Sequence, residues 1–293
     1  MSPRPLFADY ADQAAIDQAY NPDAVAVNRA QSMEHMAAQA HQARSTLACH
    51  PKVPFGATLE EYLNIFPAAQ PNAPVLVYLH GGYWRANRAE NFDGVALGGV
   101  AAGFTTVVLN YALCPFVTLD EIVRQVRAGL VWVHRHIEGY NGNPQQVVVA
   151  GHSAGGQLTA MALLTPWQRD YGLDDNWLAG GLMVSGLYEL GPLRFSYLQP
   201  LIQLSSELIE RNSPARLLQP RTVPAYFCWG GLEQSAFAQQ SSLMHERWRA
   251  AGNTSELQQI PDCDHFSILR GFDSADGTLI RAARSLLADK NAP

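Results

Sequence analysis

The stretch VVVAGHSAGG, residues 147–156, constrains this chain more than any other. Four apolar residues in a row read as a strand buried on both faces. The run stops at Gly151-His152-Ser153-Ala154-Gly155, a G-x-S-x-G sequence, and a helical pattern follows at once through residue 164. A strand that turns abruptly into a helix needs small neighbours, because backbone must pass close to backbone. Such a turn lifts the Ser153 hydroxyl to the tip of the sheet, beside the free N–H groups of a helix start. A serine N-cap on a glycine-rich loop is the plainer alternative. The strand before it and the helix after it favour a nucleophile.

The rest of the chain repeats the strand–helix alternation. Apolar or alternating runs at 59–66, 75–80, 104–111, 146–153, 180–184, 223–230 and 254–260 read as strands, the first of them partly exposed. Helical patterns fall at 22–44, 91–102, 119–137, 155–164, 236–251 and 279–287, and HPKVPFG breaks the first of these. Asn21-Pro22 reads as a cap and first position for that helix. The alternation implies an α/β fold with a mostly parallel central sheet and helices on both faces. In such sheets, sites form at the carboxyl ends of the strands.

With 293 residues, 47% of them apolar and 16% charged, the chain can bury a large core as one domain spanning residues 1–293. Residues 1–50 read as an N-terminal helical extension and 186–220 as a candidate small cap over the site, with the helix at 22–44 as another candidate cover. The net charge of −6 and the absence of a Lys/Arg cluster argue against nucleic acid and membranes as partners. The opening segment is polar, so no signal peptide is expected, and no apolar run is long enough to span a bilayer. Four scattered cysteines without a C-x-x-C pair suggest reduced thiols and a cytoplasmic protein. No H-E-x-x-H or clustered ligand motif appears, so neither metal nor other cofactor is expected. The partner is a small molecule, with a homodimer left open.

An alcohol nucleophile needs a base, and the base an orienting acid. In folds with a nucleophile elbow the chain order is serine, acid, histidine, the last two following late strands. Among nine histidines, His265 in IPDCDHFSI follows the final strand. His134, His136 and His245 lie inside helical patterns; His35, His41 and His50 precede the sheet; His152 belongs to the elbow, and His80 shapes a loop. Glu233, the first carboxylate after PAYFCWG, is the candidate acid, against the reading of an exposed glutamate opening a helix. Asp262 and Asp264 adjoin His265 in sequence, which is poor geometry for orienting its ring. As loop carboxylates they are expected to be solvated and replaceable at small cost. The stretch HGGYW, residues 80–84, ends the strand at 75–80. Its Gly81 and Gly82 amides, with that of Ala154, are candidates for an oxyanion hole. A permissive β-turn is the alternative.

The order HGGYW, GHSAGG, acid, DHF resembles the α/β-hydrolase fold in its lipase/esterase branch. The stretches AYNPDAV, EEYLNIFPA, HGGYWR, NYALCPFVTLDEIVRQVR, SGLYEL and EQSAFAQQS are similar to the kynurenine formamidase (arylformamidase)-like group. The resemblance covers about residues 20–265. It implies Ser153 as nucleophile, Glu233 as acid, His265 as base and the Gly81, Gly82 and Ala154 amides as the oxyanion hole. Glu233 stands where many relatives carry aspartate. The implied reaction is hydrolysis of a small ester or arylformamide through an acyl-enzyme. A general short-chain carboxylesterase is the nearest alternative; a catalytically silent binding module is the alternative of another class. Tyr83, Trp84, Tyr111, Tyr188 and Phe266 adjoin loops at the site edge and are candidate pocket residues for a flat aryl group, though tyrosine and tryptophan also fill cores.

Overall fold

A computed structural model describes residues 6–8, 10–221 and 223–290. Residues 1–5, which open the N-terminal extension, and residues 9, 222 and 291–293 lie outside the described residues. The strands are β1 (His50–Pro54), β2 (Tyr62–Phe66), β3 (Ala73–Leu79), β4 (Thr105–Leu109), β5 (Gly142–His152), β6 (Gly180–Val184), β7 (Ala225–Gly230) and β8 (Ser255–Ile260). They form one sheet in the order β1-β2-β4-β3-β5-β6-β7-β8. β1 and β2 pair antiparallel; β4, β3 and β5 through β8 pair parallel. The helices are α1 (Gln13–Tyr20), α2 (Arg29–Thr46), α3 (Val95–Ala101), α4 (Leu119–His136), α5 (Ala154–Leu163), α6 (Trp167–Tyr171), α7 (Gln199–Ile202), α8 (Ser206–Asn212), α9 (Ser235–Ala250) and α10 (Thr278–Lys290).

The central strands are continuous apolar runs because both faces of the sheet are covered. Val75, Val77, Val147 and Val149 face one core; Leu76, Tyr78, Val148 and Ala150 face the other. Helix α4 carries its apolar stripe, Ile122, Val126, Leu130 and Val133, into the first of these cores. Thr118 caps it by accepting from the Glu121 N–H, and Asp120 and Glu121 complement its dipole. Helix α5 is buried in all ten residues. It starts against the end of β3: a Cβ at Gly155 would lie 2.0 Å from the Leu79 carbonyl oxygen. Gly155→Ala therefore forces helix and strand apart and should cost about 3 kcal/mol, read as a lowered urea midpoint.

The early segments differ from the sequence reading. HPKVPFG is not only a break: it supplies β1, whose prolines are tolerated because β1 is an edge strand. With β1 outside it, β2 is interior and fully buried, whereas Leu59 sits 94% exposed in the preceding turn. Asn21 caps only one turn, Pro22–Ala24, and the long helix begins at Arg29. Helix α1, capped by Asp12, was not legible because it buries only Ile16 and Tyr20. Residues 186–220 fold as short helical pieces, α7 and α8 among them, whose Leu190, Leu193 and Ile202 join the core. Asp120 on α4 pairs with Arg211 on α8 at 2.7 Å. Among the described residues no helix is long and apolar enough to cross a membrane.

Candidate active site

Ser153 occupies the one-residue turn between β5 and α5 at φ 56°, ψ −119°. For a residue with a side chain this backbone costs about 1–3 kcal/mol, so the surroundings must impose it. The Ser153 N–H donates to the Val184 carbonyl at the end of β6, 2.8 Å away. Gly151 and Gly155 are in backbone contact: a Cβ on Gly151 would lie 2.0 Å from the Gly155 oxygen. The Ser153 hydroxyl makes no capping bond to α5. The first amides of that helix, Ala154 and Gly155, lack intrahelical acceptors by position.

The loop after β3 folds back over this turn. A Cβ on Gly81 would lie 3.1 Å from the Ser153 Cβ and 2.9 Å from the His152 oxygen. Gly82, Tyr83 and Trp84 all have positive φ, at 120°, 49° and 56°. Side chains pin the loop from behind. Trp84 Nε1 donates to Gln157 Oε1 at 3.0 Å, Asn87 Nδ2 to the Gly81 carbonyl at 3.1 Å, and the Tyr83 hydroxyl to the Tyr20 carbonyl at 2.5 Å. Beneath it His80 stacks on Tyr111, centroids 4.1 Å apart, and burial pushes its imidazole down to about 4.

Glu233 sits on the turn after β7, three residues past Gly230, with its carboxylate fully buried. Oε2 lies 2.6 Å from His265 Nδ1. Oε1 accepts from the Ser185 hydroxyl and from the Gly230 N–H, each at 2.6 Å. A carboxylate offers only lone pairs, so Nδ1 carries the ring proton and Nε2 keeps its lone pair. The His265 ring is held between His152 and Phe237, at centroid distances of 4.4 and 4.5 Å. Burial and the adjacent His265 keep the His152 imidazole well below its usual range, hence neutral.

Ser153, His265, Gly81 and Gly82 open onto one cavity of about 460 Å³. Of the five aromatic candidates, Tyr83 and Phe266 line it. Trp84, Tyr111 and Tyr188 do not: they are 1%, 1% and 0% exposed and belong to the core. Each large ring fills space under a loop. Trp84 bonds Gln157, Tyr111 donates to the His80 carbonyl at 2.6 Å, and Tyr188 packs edge-on against Phe227. Asp264 also differs from expectation. It is 2% exposed, not solvated, and accepts from the amides of Val27, Phe266 and Ser267. Asp262 is exposed as expected.

Several site residues escaped the sequence reading. Ser185, just past β6, donates to the Glu233 carboxylate. Met33, Met36 and Ala37 of α2 line the cavity, as does Tyr197 of the 186–220 segment. Arg85 also lines the cavity and has a buried Nε without a hydrogen-bond partner among the described residues. The basic residue after HGGYW was the only signal for it.

The same frame recurs in solved structures. A candidate thioesterase from a Silicibacter species superposes with a TM-score of 0.83 at 22% identity, covering 92% of this chain and 98% of that one. The Pyrobaculum calidifontis esterase gives 0.69 at 16% identity, covering 96% and 98%. The protein is thus an α/β-hydrolase-fold protein. The BD-FAE family model matches residues 63–179. The kynurenine formamidase of Danio rerio is 30% identical over 238 residues, 78% of either chain, and that of Drosophila melanogaster 26% identical over 226 residues, 73% of either. The chain belongs to the kynurenine formamidase family and is a serine hydrolase.

Proposed function

We propose that the enzyme hydrolyses an arylformamide or a small aryl ester, with Ser153 as nucleophile, His265 as general base and Glu233 as the orienting acid. The observation that carries this reading is the 2.6 Å contact between His265 Nδ1 and a buried Glu233, on a cavity that also holds Ser153. As Ser153 Oγ attacks the carbonyl carbon, its proton passes to His265 Nε2. The Gly81, Gly82 and Ala154 amides receive the oxyanion. Collapse of the tetrahedral species breaks the C–N or C–O bond, and Nε2–H protonates the departing amine or phenol. Water then attacks the acyl-Ser153 with Nε2 as base and releases the acid.

Relatives named kynurenine formamidase support the formamide, and the apolar wall of Met33, Met36 and Phe266 suits an aryl group. Carboxylesterase NlhH of Mycobacterium tuberculosis, 29% identical over 164 residues, keeps a short-chain ester in view. Turnover of N-formylaniline measured against p-nitrophenyl acetate separates the two. Failure to cleave the formamide, with the ester turned over, sinks the formamidase reading. In this reading the partner is a small molecule. Residues 10–50 of the N-terminal extension and residues 186–220 are covers of a single domain, supported by Asn21 and Tyr197 on the cavity wall. The location is cytoplasmic, supported by four free cysteines.

The same roles fix the pH response. A protonated imidazole cannot accept the serine proton, so kcat/KM falls as pH falls. His80 and His152 are already neutral, the first with its value near 4. The acid limb should therefore have the slope of a single proton. A slope of two would show that another group shares the base role.

A further inference from the structure

The N-terminal arm crosses the carboxyl edge of the sheet and meets three of the four loops that carry the site, those after β3, β7 and β8. The Tyr83 hydroxyl donates to the Tyr20 carbonyl, behind Gly81 and Gly82. Gln234, next to Glu233, donates through Nε2 to the Asn21 carbonyl. The Val27 N–H donates to Asp264 Oδ2 at 2.9 Å, one residue from His265. Asp264 divides its carboxylate between arm and loop. Oδ1 takes the Phe266 N–H at 3.0 Å and the Ser267 N–H at 2.7 Å, while Oδ2 takes the arm. Ser267 Oγ accepts the Asp264 N–H in return, at 2.9 Å.

Burial by itself would raise this carboxyl; the Ser267, Val27 and Phe266 amides outweigh it and leave the group below the usual carboxylate range. A buried carboxylate is costly unless such donors surround it. None of the proposed chemical steps uses its charge. Glu233 fixes how the imidazole is turned, through Nδ1. Where the imidazole stands depends on the backbone at 264–267, and that backbone is what Asp264 ties to the arm.

We propose that Asp264 is a positioning residue: by accepting the Val27 N–H it fastens the N-terminal arm to the His265 loop and sets the imidazole at the height at which Nε2 meets Ser153. The inference rests on the triad reading of Ser153, His265 and Glu233. A misplacement of about 1 Å in such a group can cost about 100-fold in rate.

The test compares Asp264→Asn, Val27→Pro and the double variant on p-nitrophenyl acetate, with folding followed by circular dichroism. Asp264→Asn keeps an oxygen for Phe266 and Ser267 but presents an NH2 to Val27. Val27→Pro removes the donor without emptying a packed site, since Val27 is 73% exposed; the ring also restricts the arm's backbone at 26–27, which the circular dichroism checks. Each should lower kcat by about 10- to 100-fold, with KM and the acid limb in place. The double variant should be no slower than the slower single one, because both cut one bond. Additive losses overturn the proposal. So does a displaced acid limb in Asp264→Asn with Val27→Pro untouched, the mark of a charge effect on the imidazole. Should Val27→Pro not fold, Asp264→Asn decides alone: a lower plateau kcat with the limb unmoved supports the role, and a moved limb on an unchanged plateau overturns it. Fluorophosphonate labelling of Ser153 in the wild type reports separately on the triad. An unlabelled wild type removes that reading and this one with it; a labelled wild type with fully active variants removes only the positioning role.

Discussion

Ser153→Ala will lower kcat by about 10⁶-fold while the protein still folds. The side chain is small and makes no capping bond, so the fold loses little with it. On the proposed mechanism the chemistry loses its nucleophile, and because triad members act as a unit the histidine and the acid retain nothing to activate. Ser153→Gly should be equally inactive yet more stable, by about 1–3 kcal/mol, because glycine takes the φ of 56° without strain. Turnover of p-nitrophenyl acetate and a thermal melt read the two effects. An active Ser153→Ala protein would put the nucleophile elsewhere.

Glu233→Gln should cost about 10⁴-fold in kcat, and the geometry says why the loss falls at the large end. Ser185 and Gly230 both donate to Oε1. In the variant these two donors demand the carbonyl oxygen of the amide, which leaves the NH2 group facing His265 Nδ1. That nitrogen must then become an acceptor, the ring proton moves to Nε2, and the imidazole can no longer take a proton from Ser153. The substitution therefore installs the wrong tautomer as well as removing a charge. Wild-type turnover in Glu233→Gln, with Asp262→Asn inactive, would move the acid to the loop beside the histidine.

What was legible in the sequence was whatever depends on neighbours in the chain. The valines of β5, the glycines of the elbow and the stripe of α4 are local patterns with local causes, and strand order carries His265 and Glu233 with them. What was hidden depends on residues far away. Asp264 looks like any loop carboxylate until Val27, 237 positions earlier, donates to it. The wall given by α2 was silent because that helix buries only Ser32, Ala40 and Ala43, small residues that leave no apolar stripe. Trp84, Tyr111 and Tyr188 were placed at the rim because they adjoin glycines and loops. A ring beside a loop can point down as easily as out, and only packing decides which.

The middle and the border of the sheet are unequally held, and that bears on how the protein tolerates heat. The serine turn leaves β5 in the middle, locked between β3 and β6. The histidine loop leaves β8, one of the two border strands, of which only Ile260 is buried. A sparsely buried border strand can open locally at less free energy than unfolds the whole. On warming, activity should therefore be lost below the temperature at which the sheet as a whole melts. Effort to make it durable belongs at that border strand, not in the already dense interior.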